Sequence, residues 1–334
     1  MNKNVSDLRL GCIGAGRHAT ANMYPSLELL GARIQSIATQ HKESAEAAAR
    51  RFHAQSSHDD YRTMLEKEKL DAVVIVTTGD RHAGIVKNCL LAGVPVFVEK
   101  PLGWNEKEAR DVADVSKKTG KTVMVGYMKR FAPSYKIMHE RMESKKDFGD
   151  ILTMHGMFGV RNFGTDIEAY LRYGAIHTID LLRYYMGEVS EVQSFAANTD
   201  QGVSLTCNFR FVSGKNGLFY FAGLPSWGRH FEEMTITGTH GFLKVENISK
   251  LVVRSSYEPV NPSPGWQQLN EKTEVSTSID TSGSGGLQAL YMNGYVYELE
   301  HFLRCLLEHK QPMTSAEDNV KTTVLVDRIL VSLQ

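Results

Sequence analysis

The chain has 334 residues, a length typical of two domains, and 42% of them are hydrophobic, so a full core is expected. Its 38 basic and 38 acidic side chains cancel, which gives no support for binding nucleic acid or an anionic membrane. Residues 1–10 are polar and lack a signal-peptide core. No apolar run approaches the length of about 18 residues that a membrane span needs.

The four cysteines, Cys12, Cys89, Cys207 and Cys305, are widely scattered along the chain. None is paired with another at a metal-binding spacing, so no metal site is predicted. Buried free thiols fit a reducing compartment, and the expected location is therefore the cytoplasm.

A strand, a glycine-rich turn and a helix follow one another near the amino terminus. Arg9–Ile13 is typical of a short strand, and helical sequence extends from about Thr20 to Leu30. The turn between them has the dinucleotide pattern G-x-G-x-x-A, in which Gly14 permits a tight bend and Gly16 lets backbone N–H groups approach a pyrophosphate. The expected cofactor-binding residues are Gly14, Ala15, Gly16, Arg17 and His18.

The second strand, Arg33–Ala38, ends at Thr39-Gln40-His41-Lys42. An NAD-specific site usually places an acidic residue here to bind the ribose 2′-hydroxyl, and none is present. Thr39, Gln40 and Lys42 would instead tolerate a 2′-phosphate. NADP is the expected cofactor, and a merely polar loop that binds NAD is the alternative.

Two further apolar strands deliver polar residues to their carboxyl ends, where ligands bind in open α/β sheets. Leu70–Val76 leads into Thr77-Thr78 and a helix from about Ala83 to Leu91, and Pro95–Pro101 ends in Glu99-Lys100. The expected cofactor contacts in these segments are Thr77, Thr78, His82, Glu99 and Lys100.

Strands alternating with helices predict an α/β fold whose first domain, 1–126, is a doubly wound parallel Rossmann sheet. A helix over 105–119 and a strand over 122–127 complete it.

The second domain, 127–334, has the pattern of an α+β fold with a large, mostly antiparallel open sheet. The predicted strands are 151–160, 189–198, 203–211, 217–223, 234–237 and 242–245. Residues from Ser255 to about Gly286 are rich in Gly, Pro and Ser and are expected to form a surface loop. A sheet with one uncovered face commonly binds a partner, so a homodimer or homotetramer formed through this sheet is expected.

A helix is predicted over 174–186, before Gly187. Tyr173, His177 and Asp180 fall at helical spacing, so a general base and an acidic neighbour would project together. The alternative is that these residues form a solvent-facing polar stripe.

Taken together, these motifs resemble those of the glucose–fructose oxidoreductase / inositol dehydrogenase / rhizopine-catabolism (Gfo/Idh/MocA) family over nearly the whole chain. The segments that carry the resemblance are 14–18, 99–102, 125–127, 130–133, 174–180 and 312–318. The resemblance implies that Lys100 lies between nicotinamide and substrate, that His177 is the acid/base, and that Asp180 orients it or binds a substrate hydroxyl. Many members carry Asp four residues before the His, where this chain has Tyr173, a departure that puts the usual trio in doubt.

The expected function is hydride transfer between NAD(P) and a secondary alcohol or ketone of a sugar or cyclitol. The expected substrate-binding residues are Arg130, Arg161, Tyr173 and Trp227. The competing hypothesis is a non-catalytic NAD(P)-binding regulator, which the Tyr173 departure favours and the intact Lys100 and His177 oppose.

Overall fold

A computed structural model describes residues 4–161, 163–197, 199–226, 230–256, 271–277 and 286–333. The chain divides into two compact units. The first comprises Met1–Phe131 and Gly286–Asp327, and the second comprises Ala132–Gly285 and Arg328–Gln334.

The carboxyl-terminal helices belong largely to the first unit, whereas the boundary expected after Gly126 placed them all in the second. Two contacts account for this placement. Leu299 and Phe302 join the same hydrophobic core as Leu10 of the first strand. Thr314 bonds to Val125 twice, since its carbonyl accepts from the Val125 N–H at 2.8 Å and its hydroxyl donates to the Val125 carbonyl at 2.6 Å.

The first unit is built on a six-stranded sheet in which every pairing is parallel, as the sequence predicted. The strand order is β3-β2-β1-β4-β5-β6. The strands are β1 (Arg9–Ile13), β2 (Arg33–Ala38), β3 (Ser56–His58), β4 (Ala72–Ile75), β5 (Val96–Glu99) and β6 (Val123–Gly126).

Helices connect these strands and close the chain. Those of the first half are α1 (Tyr24–Leu29), α2 (Lys42–Arg51), α3 (Tyr61–Lys67), α4 (Gly79–Leu91) and α5 (Glu106–Thr119). Those that follow are α6 (Pro133–Met142), α7 (Lys145–Phe148), α8 (Ile167–Ala169), α9 (Ile176–Met186), α10 (Gln288–Met292), α11 (Tyr295–Glu308) and α12 (Ala316–Val331).

The described residues also contain four short turns of other helix types. Two are 3₁₀ turns, Val5–Asp7 and Met128–Phe131, and two are π-helical turns, Ala19–Met23 and Tyr170–Ala175. The helix expected from Thr20 to Leu30 therefore starts as a π turn and becomes α-helical only at Tyr24.

β4 and β5 are buried on both faces, which fixes their position in the sheet. All four residues of β4 and all four of β5 are buried, as expected for strands covered by helices on both sides of a parallel sheet. Phe97 of β5 packs its ring 5.7 Å from that of Phe302 on α11. This contact fixes β5 against α11 within the first unit.

The second unit contains an eight-stranded sheet in the order β14-β13-β12-β11-β7-β10-β9-β8. Only β7 and β10 pair in parallel, so the sheet is mostly antiparallel, as predicted. Its strands are β7 (Ile151–Gly159), β8 (Val189–Ala196), β9 (Ser204–Phe211), β10 (Asn216–Ala222), β11 (Phe231–Gly238), β12 (Gly241–Glu246), β13 (Lys250–Ser256) and β14 (Glu271–Thr277).

The prediction that 255–286 is only a loop was wrong for β14, which pairs with β13 from Lys250↔Thr277 to Ser256↔Glu271. This edge strand is largely polar on both faces, so it lacks the apolar alternation that identifies a strand in sequence. The rest of that segment, 257–270 and 278–285, lies outside the described residues.

None of the helices in the described part of the chain has the length and apolar character needed to cross a membrane.

Candidate active site

The carboxyl ends of β1, β2 and β4 open onto a cleft of about 1070 Å³ in the first unit. Most of the residues expected to bind the cofactor line it. They are Gly14, Ala15, Gly16, Arg17, His18, Thr39, Gln40, Thr77 and Thr78.

The glycine turn shows two different requirements for glycine. Gly14 has φ +94°, and a Cβ there would collide with the Val76 carbonyl. A Cβ on Gly16 would meet no protein atom within 4 Å, so packing within the protein does not require that glycine. Bare backbone that faces open space at a strand–helix turn fits the close approach of a dinucleotide pyrophosphate.

The residues at the end of the cleft beyond β2 differ in part from those that the sequence predicted. The Thr39 hydroxyl donates to the His41 carbonyl at 2.7 Å, and His41 lines the cleft. Lys42 is not among the lining residues of the described chain, and its ammonium lies 4.0 Å from Glu46.

Sequence reasoning missed the segment after β3, which also lines this end of the cleft and includes Asp59, Asp60 and Arg62. Asp60 caps α3 by accepting from the Arg62 N–H at 3.0 Å, and the Arg62 guanidinium lies 3.5 Å from the same carboxylate. β3 has only three residues, Ser-Ser-His, and so gives no apolar strand signal. An acidic residue just before a helix was the available signal, because Asp is a preferred N-cap.

A hydrogen-bonded chain connects the glycine turn to the end of β5. Asn22 Nδ2 lies 2.9 Å from His18 Nδ1, and His18 Nε2 lies 3.0 Å from Glu99 Oε1. An amide donating to Nδ1 leaves the proton on Nε2, which then donates to the carboxylate. The other oxygen of Glu99 accepts from the Lys100 N–H at 3.3 Å.

The Glu99 carboxylate is ionised although it is buried. Burial would raise its pKa, but the hydrogen bond from His18 and the positive charge of Lys100 act against burial, and the pKa is lowered. Burial lowers the pKa of Lys100, while the charge of Glu99 raises it and that of Lys129 lowers it. The charge of Glu99 therefore favours the protonated form of Lys100.

His82 is fully buried and supports the segment after Lys100. Its Nδ1 lies 2.7 Å from the Pro101 carbonyl, and its Nε2 lies 3.2 Å from that of Thr77. Burial lowers the pKa of this imidazole, which favours a neutral ring that donates from Nδ1 through the shorter contact. These contacts favour a positioning role for His82 rather than direct contact with the cofactor.

Arg130 is also buried, and its guanidinium lies 2.8 Å from Asp318. This ion pair joins the turn after β6 to α12, so the arrangement favours a structural role over the expected contact with substrate.

In the second unit, α8, a π turn and α9 form one nearly continuous helical segment that carries His177. Tyr173 lies in the π turn, and His177 and Asp180 lie in the first turns of α9. Asp180 is fully buried, whereas Tyr173 and His177 are half-buried, so the alternative of a solvent-facing stripe does not hold. The sequence missed the π turn, a feature that occurs frequently at functional sites.

Contacts within the second unit hold α9 in place. The Tyr185 hydroxyl donates to the Tyr135 carbonyl at 2.7 Å, and the Arg183 guanidinium lies 2.9 Å from Glu188. Of the remaining expected substrate residues, Arg161 is exposed and Trp227 lies outside the described residues.

Residues 8–127 match a family model described as an oxidoreductase family with an NAD-binding Rossmann fold. The scyllo-inositol 2-dehydrogenase (NAD(+)) of Bacillus subtilis is 23% identical to the chain, with 93% of this chain and 90% of that protein covered. The myo-inositol 2-dehydrogenase of Thermotoga maritima is also 23% identical, with 95% and 94% covered.

A solved structure of levoglucosan dehydrogenase in complex with NADH superposes with a TM-score of 0.84 at 20% identity, with 97% of this chain and 96% of that chain covered. At that identity the likeness establishes the fold, which spans both units.

Proposed function

We propose that the chain, whose residues 8–127 match the Gfo/Idh/MocA family model, is an oxidoreductase of that family and an NAD(P)-dependent dehydrogenase or reductase acting on a secondary alcohol or ketone. The substrate class is a sugar, a sugar derivative or a cyclitol, in keeping with relatives named for inositols and levoglucosan. The competing hypothesis of a non-catalytic regulator gains no support from these relatives, which are dehydrogenases.

One observation carries this proposal. Lys100 follows β5 immediately, and its neighbour Glu99 is hydrogen-bonded to His18 in the lining of the dinucleotide cleft. An ammonium adjoining a dinucleotide site is suited to stabilising negative charge that develops on a substrate oxygen.

The glycine turn would hold a nicotinamide dinucleotide, which when bound would supply the hydride-transfer chemistry in either direction. In oxidation His177 takes the proton of the substrate hydroxyl as the C–H bond breaks, and the products are the ketone, the reduced cofactor and one proton. Lys100 stabilises the developing alkoxide. Asp180 orients the His177 ring, and Tyr173 donates a hydrogen bond to a substrate oxygen.

Turnover with a panel of cyclitols and sugars tests this proposal. The protein is mixed with each compound and NAD⁺ or NADP⁺, and the absorbance of the reduced nicotinamide is followed. We expect turnover with at least one compound that carries a secondary alcohol. Tight cofactor binding with no turnover across the panel would favour the regulator instead.

The proposed cofactor preference is for NADP over NAD. Thr39, Gln40 and His41 bring no carboxylate to the end of β2, and Arg17 and Arg62 line the same cleft. Asp59 and Asp60 oppose the preference, and the relatives named above use NAD or bind NADH. The proposal is that the Asp60 carboxylate stays engaged with the α3 N-terminus and the Arg62 guanidinium, and leaves Arg17 to the phosphate.

Fluorescence titration with both reduced cofactors measures this preference. The parent should bind NADPH more tightly than NADH, and Thr39→Asp should reverse that order, because a carboxylate binds the ribose 2′-hydroxyl and repels the phosphate. Tighter binding of NADH by the parent would rule the preference out.

We further propose that the protein is a homodimer or homotetramer assembled through the second sheet. Large apolar side chains lie exposed on it, among them Phe195 (62% exposed), Leu218 (49%) and Val275 (57%). Sedimentation velocity on Leu218→Lys should show a smaller species than the parent, and a species of the same size as the parent would exclude Leu218 from the interface.

The proposed compartment is the cytoplasm, supported by four free, buried cysteines.

A further inference from the structure

Helix α11 carries a carboxyl group into the interior of the first unit. Glu298 is 0% exposed, while the next residue, Leu299, and Phe302 one turn later belong to the hydrophobic core. Within the described residues neither side-chain oxygen of Glu298 has a hydrogen-bonding partner. Burying such a group without partners is unfavourable, so the stability of the helix does not account for this residue.

Helix α11 packs against β5, since the ring of Phe302, one turn after Glu298, lies 5.7 Å from that of Phe97, two residues before Glu99. Among the charged groups of the described residues, Glu99 is the one that acts on Glu298. Burial is the larger influence on Glu298, and the charge of Glu99 adds to it, so the pKa of Glu298 is raised well above its usual range. Tyr295 lies one turn earlier on α11, and burial together with the charge of Glu99 raises its pKa also. Glu298 therefore keeps its proton, whereas the neighbouring Glu99 is ionised.

Glu99 connects this buried acid to the proposed catalytic lysine. Its two oxygens are held by His18 at 3.0 Å and by the Lys100 N–H at 3.3 Å. The His18 ring lies edge-on to the Tyr295 ring with 5.5 Å between centroids. Other titratable groups on the elements packed against α11 are Asp7, Tyr24, Glu28, Lys129, Arg130 and Tyr291.

We propose that Glu298 is a positioning residue for the Glu99–Lys100 pair, an inference that rests on the proposed function of Lys100. Its neutral carboxyl supplies polarity beside Glu99 without a second negative charge. That polarity keeps Glu99 ionised, and the Glu99 carboxylate in turn keeps Lys100 protonated. An apolar side chain at 298 would desolvate Glu99 further and weaken this support.

Two substitutions separate polarity from charge. Glu298→Gln keeps a neutral polar group of the same shape, and Glu298→Leu removes the polarity at similar volume. Glu300→Gln on the same helix is the matched control, since Glu300 is partly exposed and its carboxylate lies 2.6 Å from Arg304. The kcat and KM of each variant are measured across pH with the panel compound that the parent turns over fastest.

We expect Glu298→Gln to retain kcat within about twofold and to keep the parent pH profile. Glu298→Leu should lose about tenfold in kcat at alkaline pH, and its alkaline limb should move to lower pH by about one unit, because Lys100 loses its proton sooner. Parental kcat and pH profile in Glu298→Leu would overturn the proposal. A shifted profile in Glu298→Gln would also overturn it, since charge would then be the property that matters.

Thermal melting separates this role from a structural one. Glu298→Leu should melt a few degrees higher than the parent because it removes an unpartnered buried carboxyl. Higher stability with lower turnover is the reverse of what a purely structural residue shows. If the parent turns over no compound in the panel, the proposed function fails; if the parent is active and Glu298→Leu matches it, this inference alone fails.

The proton on Glu298 has a signature that does not depend on activity. Infrared spectra of the parent at pH 8 should show the carbonyl stretch of a protonated carboxylic acid, lost in Glu298→Gln and kept in Glu300→Gln. Above pH about 4.3 the unfolded chain releases this proton while the folded chain keeps it, so parent stability should fall with rising pH relative to Glu298→Gln. Absence of the band, or a melting difference that does not change with pH, would contradict the neutral acid.

Discussion

At the residue scale, the proposed chemistry depends on a charged Lys100 in surroundings that disfavour charge. Burial pulls the pKa of this ammonium down, and the adjacent Glu99 is the group that raises it. Glu99 is itself fixed by His18, a member of the cleft lining. The cofactor site and the proposed catalytic lysine therefore share one hydrogen-bonded chain within the first unit.

Replacing the lysine should separate catalysis from cofactor binding. Lys100→Ala should lower kcat by about 10²-fold or more, because it removes the charge that stabilises the alkoxide. Dinucleotide affinity, measured by fluorescence, should change little, since the glycine turn holds the pyrophosphate. Lys107→Ala, at an exposed lysine paired with Asp111, serves as the control. Near-parental kcat in Lys100→Ala would exclude the assigned role.

The pH dependence of the parent follows from the direction of the Lys100 shift. A lysine loses its proton as pH rises through its pKa, and this pKa is lowered from the ordinary value of about 10.4. Turnover of the parent should therefore fall on the alkaline side at a pH below about 10.4. Residual turnover of Lys100→Ala should lack that limb, and a limb that persists unchanged would have to come from another group.

His177 and Tyr173 have separable roles in the proposed reaction. His177→Ala should lose about 10²–10⁴-fold in the rate of oxidation, together with the rise of turnover with pH as the imidazole loses its proton. Tyr173→Phe keeps the ring and removes only a hydrogen-bond donor, so a modest loss is expected. Steady-state rates across pH decide between these outcomes. If neither substitution matters, the catalytic assignment fails and the regulator hypothesis gains.

At the scale of the element, the glycine turn makes a paired prediction. Gly14→Ala should destabilise the fold, because φ +94° disfavours any side chain and the new Cβ would meet the Val76 carbonyl. Gly16→Ala should leave the melting temperature close to that of the parent, since its Cβ meets no protein atom within 4 Å.

Cofactor affinity should depend on Gly16 although the stability of the fold does not. Gly16→Ala should weaken dinucleotide binding by about tenfold or more, since its methyl group would occupy the space of the pyrophosphate. Calorimetric titration and thermal melting of the same samples measure both quantities. Full affinity in Gly16→Ala would show that the pyrophosphate does not approach this backbone.

Some elements could be predicted from sequence because burial dictates their composition. β4 and β5 are buried at every position, so they are apolar apart from Glu99 at the end of β5, and Thr77 and Lys100 follow them closely. β14 is an edge strand of Glu, Lys, Thr, Val and Ser, and neither face of it had to be apolar. The π turn at Tyr170–Ala175 could not be predicted from the sequence either, because hydrophobic spacing identifies a helix without fixing its pitch.

The candidate site was predictable to a similar extent, and for a similar reason. Glycines at a strand–helix turn and polar residues at the carboxyl ends of buried strands are a pattern that ligand binding favours, so most of the residues predicted to bind the cofactor do line the cleft. The buried pairing of Arg130 with Asp318 could not be found, because those residues are 188 positions apart and only tertiary packing joins them. The role of Asp59 and Asp60 was missed because β3 is too short and polar to reveal the strand end beside them.

At the scale of the whole molecule, the chain returns to its first unit after building the second. Residues 286–327 pack with the Rossmann sheet, and α11 buries Glu298 within this unit, where the charge of Glu99 acts on it. A variant truncated before residue 286 would lose part of the hydrophobic core of the first unit. The last helices are therefore part of the nucleotide-binding body in this protein.

Direct transfer of hydrogen from substrate carbon to nicotinamide is the most decisive observation to seek. The protein is incubated with NAD⁺ or NADP⁺ and with scyllo-inositol or levoglucosan deuterated at every carbon, and the mass of the reduced nicotinamide is measured. We expect a single deuterium in the reduced cofactor, acquired from the carbinol carbon. Reduced cofactor without deuterium would contradict direct hydride transfer, and failure to reduce either cofactor with any compound of the full panel would contradict the assignment as a dehydrogenase.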